Sequence, residues 1–207
     1  MQKSNFHCDT TFYAPSDINC SDIPTPVVNG PTTTNNFQIG FLIGTKFLTQ
    51  IIGIYDTAYD ITRHANHVIL NSINDIKIPD SRPSFIEPSF PKCNTLETQK
   101  KSITRLYTGN QKKEVEGYFV KGQKYLAKGR LTTNIDYGFL YQRKATFFYH
   151  NVVPQWQQIS NGNWKTLKSD VRDMAALSSS FLNIYTGAVG ISELFKKQLF
   201  LWNKHLP

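Results

Sequence analysis

Apolar and polar positions interleave most regularly over residues 37–56, FQIGFLIGTKFLTQIIGIYD, where β-branched and aromatic side chains are separated by polar ones; this pattern predicts one or two strands. Residues 1–36 have no sustained period and are rich in Thr, Asn, Pro and Asp, so they read as an extended polar lead-in, with the folded domain expected over 37–207. A helix is predicted next, over about 58–71, followed by a proline-punctuated loop over 79–91. Residues 100–107 and 115–120 read as short elements of unassigned type. The run TFFYHNVV at 146–153 predicts a strand that stops at Pro154, because proline has no N–H to give to a ladder. Trp164, Leu167, Val171 and Met174 then recur at helical spacing and predict a helix over 163–178, with Asn161 or Asn163 as its cap. A last strand is expected at 182–186, and no internal repeat is present. The alternation of element types gives an α+β fold, a mixed and mainly antiparallel sheet with helices packed on it.

Composition narrows the class. The chain has 207 residues, 40% apolar and 18% charged, which suits one domain with a hydrophobic core and excludes wholesale disorder. No apolar run approaches the roughly 18 residues of a membrane span. The best run, 37–54, is interrupted by Gln38, Gly40, Gly44, Lys46, Gln50 and Gly53, so no membrane partner is expected. MQKSNFHCDTTFY at the start shows no apolar signal-peptide core, which leaves the compartment undetermined. Cys8, Cys20 and Cys93 have no metal-ligand spacing; a Cys8–Cys20 bridge and three free thiols are both open readings. The Asn19-Cys20-Ser21 sequon matters only for a secreted chain.

Charge is placed unevenly. The net +8 comes from the second half: residues 1–60 sum to −3, 61–91 to zero, 92–130 to +7 and 131–207 to +4. Lysines and arginines before position 130 lie among Tyr107, Tyr118, Phe119 and Tyr125, a combination that suits a polyanion as well as a plain solvated surface.

The stretch 125–172 carries the chemistry. It reads YLAKGRLTTNIDY, then ATFFYHNVVPQWQQISNGNWKTLKSDVRD. It resembles the ββα-metal core of the DNA/RNA non-specific endonuclease family, in particular its arthropod branch; IGF at 39–41, YD at 55–56 and RLYTGNQ at 105–111 are also similar to that branch. The resemblance implies a ββα unit at about 118–178. It also implies further strands after residues 183–187, so the chain is expected to be incomplete at its C-terminus. Residue by residue, Gly129 matches the glycine of the family's Arg-Gly-His motif, Lys128 replaces the arginine, and Arg130 stands at the general-base histidine. Asn151, Pro154 and Gln155 match the Asn-x-x-Pro-Gln strand end, and Trp164 and Leu167 match the following helix. Six residues after the proline, Ser160 replaces the asparagine that ligates Mg²⁺, with Asn161 one place late as its substitute. Fourteen after it, Lys168 replaces the glutamate that orients the metal's waters. Eighteen after it, Arg172 keeps the arginine near the scissile phosphate.

An arginine does not accept a proton from water near neutral pH, and Mg²⁺ requires hard oxygen ligands rather than ammonium groups. The resemblance therefore implies a family member with its hydrolytic chemistry lost or strongly reduced, which binds DNA and/or RNA through Lys128, Arg130, Lys168 and Arg172. No cofactor is expected, or Mg²⁺ if residual activity exists. Two alternatives stand beside this reading: a weak Mg²⁺-dependent endonuclease using Asn161 and an unconventional base, and a non-functional truncated product. Trp156 and Trp164 are expected to be core aromatics, His64 and His67 to have surface or packing roles, and His150 to point away from Asn151 by strand alternation.

Overall fold

The computed structural model describes residues 26–29, 36–57, 61–75, 82–86 and 96–199. The alternating stretch that opens the domain forms two strands rather than one. After a short edge strand β1 (Val27–Asn29), β2 (Asn36–Ile43) and β3 (Lys46–Asp56) pair as a hairpin. Gly44 makes the turn between them at φ 59°, in the left-handed region that glycine enters without penalty. Strand β4 (Ile61–Leu70) follows, in place of the helix that the sequence pattern predicts over 58–71. Its inward positions are Ala65, His67 and Ile69, all buried, so the period of two is carried by one small and one polar residue and is faint in the sequence.

Between β4 and its other neighbour the chain inserts most of its helices. The first are α1 (Leu96–Thr104), which makes most of the short element expected at 100–107 helical, and α2 (Gly109–Glu116). Of the element expected at 115–120 only Val115 and Glu116 are helical, and the chain then turns to a bridge between Val120 and Lys124. Then come β5 (Leu126–Arg130), α3 (Leu140–Ala145), β6 (Val152–Trp156), α4 (Gln157–Asn161) and α5 (Asn163–Leu177). The chain returns to the sheet as β7 (Phe181–Gly187), matching the predicted last strand, and ends its described part in a small hairpin, β8 (Glu193–Leu194) with β9 (Lys197–Gln198). The large sheet has the order β1-β2-β3-β4-β7 with every neighbour antiparallel; β5 and β6 pair separately. The architecture is α+β, as the pattern predicts.

The strand expected over 146–153 is corrected. Residues 146–151 form a turn and a 3-10 turn, Tyr149–Asn151, and β6 starts only at Val152 and runs through Pro154. Proline is tolerated because β6 pairs on one edge alone, with Lys128 opposite Pro154, so its missing N–H removes nothing from a second ladder. What holds 146–151 out of the extended state is local: Thr146 Oγ1 donates to the Arg143 carbonyl, and the Asn151 side chain reaches back to the Thr146 carbonyl.

Three apolar clusters fix these pieces. Phe37, Ile39, Phe41, Ile51 and Ala65 from one face of the sheet pack against Leu131, Tyr141, Ala145 and Phe148. Ile103, Tyr107, Val115 and Phe119 join α1 and α2 to Leu126 and Trp156, so Trp156 is a packing residue. Ile69, Ile73 and Ala175 seat α5, with Val171, Leu182 and Ile184 around them. The opposite face of the sheet leaves Ile52, Val68, Leu70, Phe181 and Tyr185 exposed. Among the described residues, no helix is long and apolar enough to cross a membrane. Cys8, Cys20 and Cys93 lie outside the described residues.

Candidate nucleic-acid interface

The β5–β6 ribbon and the helices after it make up the ββα unit, and its geometry begins at Gly129. A Cβ at this position would lie 2.8 Å from Gln155 Cβ and 2.9 Å from the Val153 carbonyl oxygen. Only glycine lets β6 approach β5 this closely, which places Arg130 opposite Val152 at the end of the ribbon. The chain then turns over Asn151, which is wholly buried. The Thr132 N–H donates to Asn151 Oδ1 at 2.8 Å, and Asn151 Nδ2 donates to the carbonyls of Thr132 (2.7 Å) and Thr146 (2.9 Å). Both N–H directions and one acceptor direction of this carboxamide hold two segments of main chain.

Arg130 leaves this clamp half-buried, with its guanidinium 4.3 Å from the centre of the Phe147 ring. Burial is the main cause that lowers its pKa, to about 10, with Arg82 and Arg143 lowering it further and Asp136 opposing them. At that value it stays cationic at neutral pH. Its Nη1 is buried and has no hydrogen-bond partner. Lys168, on the inward side of α5, also has its pKa lowered, first by burial and then by Arg130, while Asp136 raises it. Arg130, Lys168 and Asp136 are thus brought into one electrostatic neighbourhood. Arg172 lies one helical turn beyond Lys168 and its Nε is buried without a partner.

The sequence pattern of α5 predicts that Trp164, Leu167, Val171 and Met174 turn inward. Instead Leu167 and Met174 are 49% and 62% exposed, and the inward side carries Lys168, Val171, Arg172 and Ala175. Its cap is also corrected: Gly162 occupies the N-cap position, and no side chain caps the helix. Ser160 is half-buried and Asn161 exposed, both on α4, which packs on β5 and β6. Lys128 faces a different environment. Its ammonium lies 4.5 Å from the Phe85 ring centre and 4.7 Å from that of Tyr149, and it donates to the Tyr149 hydroxyl.

Sequence reasoning missed three participants. His67 and Asp136 are both buried, with His67 Nε2 2.8 Å from Asp136 Oδ2, while His67 Nδ1 is 3.2 Å from Thr132 Oγ1. This histidine ties the sheet to the segment that the Asn151 clamp holds, so its packing role carries a polar network with it. The second oxygen of Asp136 is buried and unpartnered. The third participant is Arg82, which lies over the same Phe147 ring as Arg130, at 5.8 Å. Inward alternation along β4 would have found His67; no local signal marks Arg82 or Asp136. His150 sits in the 3-10 turn rather than a strand, its ring 5.4 Å from Phe37 and 5.3 Å from Tyr55, and burial lowers its pKa.

The sequence is similar to those of two salivary proteins of insects. The chain is 27% identical over 154 residues to a salivary endonuclease of Lutzomyia longipalpis, covering 70% of this chain and 36% of that protein. It is also 27% identical over 154 residues to salivary protein Tsal1 of Glossina morsitans morsitans, covering 67% of this chain and 36% of the relative. The chain therefore spans about a third of the length of these curated relatives. Among solved structures, a chain of an EndoG/EndoGI complex aligns over 70% of this chain and 51% of its own length, at 14% identity and a TM-score of 0.43. The sequence profile described as DNA/RNA non-specific endonuclease matches residues 29–202, and this chain belongs to that family.

Proposed function

We propose that this chain binds nucleic acid without sequence preference and has lost, or retains only weakly, the family's phosphodiester hydrolysis. The observation that carries the reading is Arg130. It stands at the position where the resemblance implies a histidine base, it remains protonated at neutral pH, and its buried Nη1 has no partner in the protein. A group that keeps its proton does not activate water, but it does hold a phosphate oxygen by a charge-assisted hydrogen bond. Lys168 and Arg172 supply further cations on the facing side of α5, and the two salivary relatives, one of them an endonuclease by name, support a polynucleotide as the anion.

Mg²⁺ is the ion the family's chemistry implies, and the side chains around Arg130 do not suit it. Arg82 and Lys168 share that neighbourhood, and its carboxylate, Asp136, already gives one oxygen to His67. A divalent cation there would meet uncompensated positive charge. We therefore assign the anion-binding role to the side chains alone.

The test has two arms. Plasmid DNA and RNA incubated with purified protein and Mg²⁺ stay intact, and filter binding at low salt detects complexes of similar affinity with unrelated sequences, weakening steeply as salt rises. Chelator-sensitive cleavage by a preparation free of contaminating nuclease overturns the loss of hydrolysis. Absence of any complex at low salt overturns the binding.

A further inference from the structure

The ring of Phe147 organises the cations in a way that narrows the ligand. Segment 82–86 is held alongside it: the Ile86 N–H donates to the Phe147 carbonyl at 2.9 Å, and Ile86 bridges Phe148. Phe85 packs on Phe147 and on Tyr149, at 5.1 and 5.4 Å between centres. This anchoring delivers Arg82 to the ring that Arg130 also covers, from a segment more than forty residues away in sequence. Lys168, on α5, interacts electrostatically with Arg130 and adds a further cation on that side.

Against these three cations stands the Asp136 carboxylate, with one oxygen committed to His67 and the other buried without a partner. Among the described residues, the cations Arg82, Arg143 and Lys168 and the single carboxylate of Asp136 are the charges coupled to Arg130, which leaves an excess of positive charge in a setting half-buried at Arg130 and open at Arg82. An internal phosphodiester brings a single negative charge and two free oxygens. A terminal phosphate monoester brings about −1.5 to −2 at neutral pH and three acceptor oxygens. The second is the better match to that excess of charge.

From the placement of Arg82 and Arg130 at the Phe147 ring, with Lys168 as a further cation from α5, we infer that this place in the fold is a socket for a terminal phosphate, the phosphorylated end of a nucleic-acid strand, rather than for an internal diester. The inference rests on the nucleic-acid-binding reading above and makes it more specific. General contacts along the strand fall to the lysine-rich surface, and the end is held by the pocket.

The experiment compares one oligonucleotide sequence with a 5′-phosphate, with a 3′-phosphate and with hydroxyl ends, beside a closed circular single strand, all at the same salt. A phosphorylated end is expected to bind about tenfold more tightly than the hydroxyl-ended strand, roughly 1.4 kcal/mol. The two phosphorylated strands show which end the pocket takes. The preference should shrink below about pH 6, where the monoester takes up its second proton. Arg82→Gln, at an exposed position, should reduce the ratio, and Lys168→Gln provides the same test from another element. Equal affinity for phosphorylated, hydroxyl-ended and circular strands overturns the socket while leaving general binding intact. A preference that survives both substitutions overturns its placement at Phe147. If no strand binds at low salt, the binding reading falls, and this inference with it.

Discussion

Asn151 and Arg130 are neighbours across the end of one ribbon, yet their surroundings are opposites. Around Asn151, each donor and acceptor of the side chain meets main chain at 2.7–2.9 Å. Around Arg130, buried polar atoms lack partners: its own Nη1, Asp136 Oδ1 and, farther along α5, Arg172 Nε. The protein fold completes the first region by itself. The second has polar capacity that folding leaves unused, and buried cations with no counter-charge destabilise a domain unless something binds them. Asn151, which matches the family's motif, serves the backbone, whereas Arg130, which departs from it, keeps a buried donor that the fold does not use.

Substitutions in the two regions are expected to shift stability in opposite directions. The largest effect is expected at Asn151→Ala, which strands the Thr132 N–H and two carbonyls in the interior. It should lower stability by about 3–5 kcal/mol in urea unfolding, since each buried group left unpaired costs about 1–3 kcal/mol. A decrease under about 1 kcal/mol would mean that the clamp is not what shapes the site. Gly129→Ala comes next. Its methyl group must displace Gln155 or the β6 main chain, so a decrease of about 1–3 kcal/mol is expected from the same measurement.

On the ligand side, Lys168→Met should raise stability by about 1 kcal/mol while weakening nucleic-acid binding, because a poorly compensated cation gives way to an apolar side chain. Destabilisation with unchanged affinity would break the comparison. Reversing charge at Lys128 and Arg172 together should weaken binding to all sequences alike. It should also flatten the salt dependence, by about one unit of slope for each phosphate that the protein no longer neutralises. The smallest effect concerns pH. Burial and Arg130 lower the pKa of Lys168, and that of Arg130 itself is about 10. Affinity should therefore fall as pH rises toward about 10, and Lys168→Arg should move that fall to higher pH. For folding the sign is reversed. Groups whose cationic form is disfavoured in the folded state penalise it below their lowered pKa, and the penalty is relieved as pH rises past that value.

Elements whose pattern is carried by their own side chains are legible in the sequence. The hairpin over 37–56, the helix starting at Asn163 and the strand around 182–186 all follow from local period. Elements decided by tertiary partners are not. β4 hides its alternation behind Ala65 and His67, and TFFYHN is rich in strand-formers yet is bent into a turn by Thr146 and Asn151. The site divides in the same way. Gly129, Arg130, Asn151, Lys168 and Arg172 sit at fixed offsets within one contiguous stretch, where a motif can be read directly. His67, Asp136 and Arg82 join only through contacts between distant segments, such as the 69-residue separation of His67 from Asp136, and no motif spacing encodes those. The inward face of α5 is hidden for a related reason: two of its four inward positions, Lys168 and Arg172, are half-buried cations, and a search for an apolar stripe selects Leu167 and Met174 on the wrong side.

The uncovered side of the large sheet has a practical consequence. Among the described residues, Ile52, Val68, Leu70, Phe181 and Tyr185 lie exposed across β3, β4 and β7, a strip of apolar side chains interrupted by Asn66 and Asn183. An environment-sensitive dye will light up on this strip before any heating begins, and a dye-based melting curve will start from a high baseline that falls or flattens instead of rising cleanly. The stability differences expected above are better followed by circular dichroism, or by the emission of Trp156 and Trp164, whose half-buried rings change surroundings when the chain unfolds.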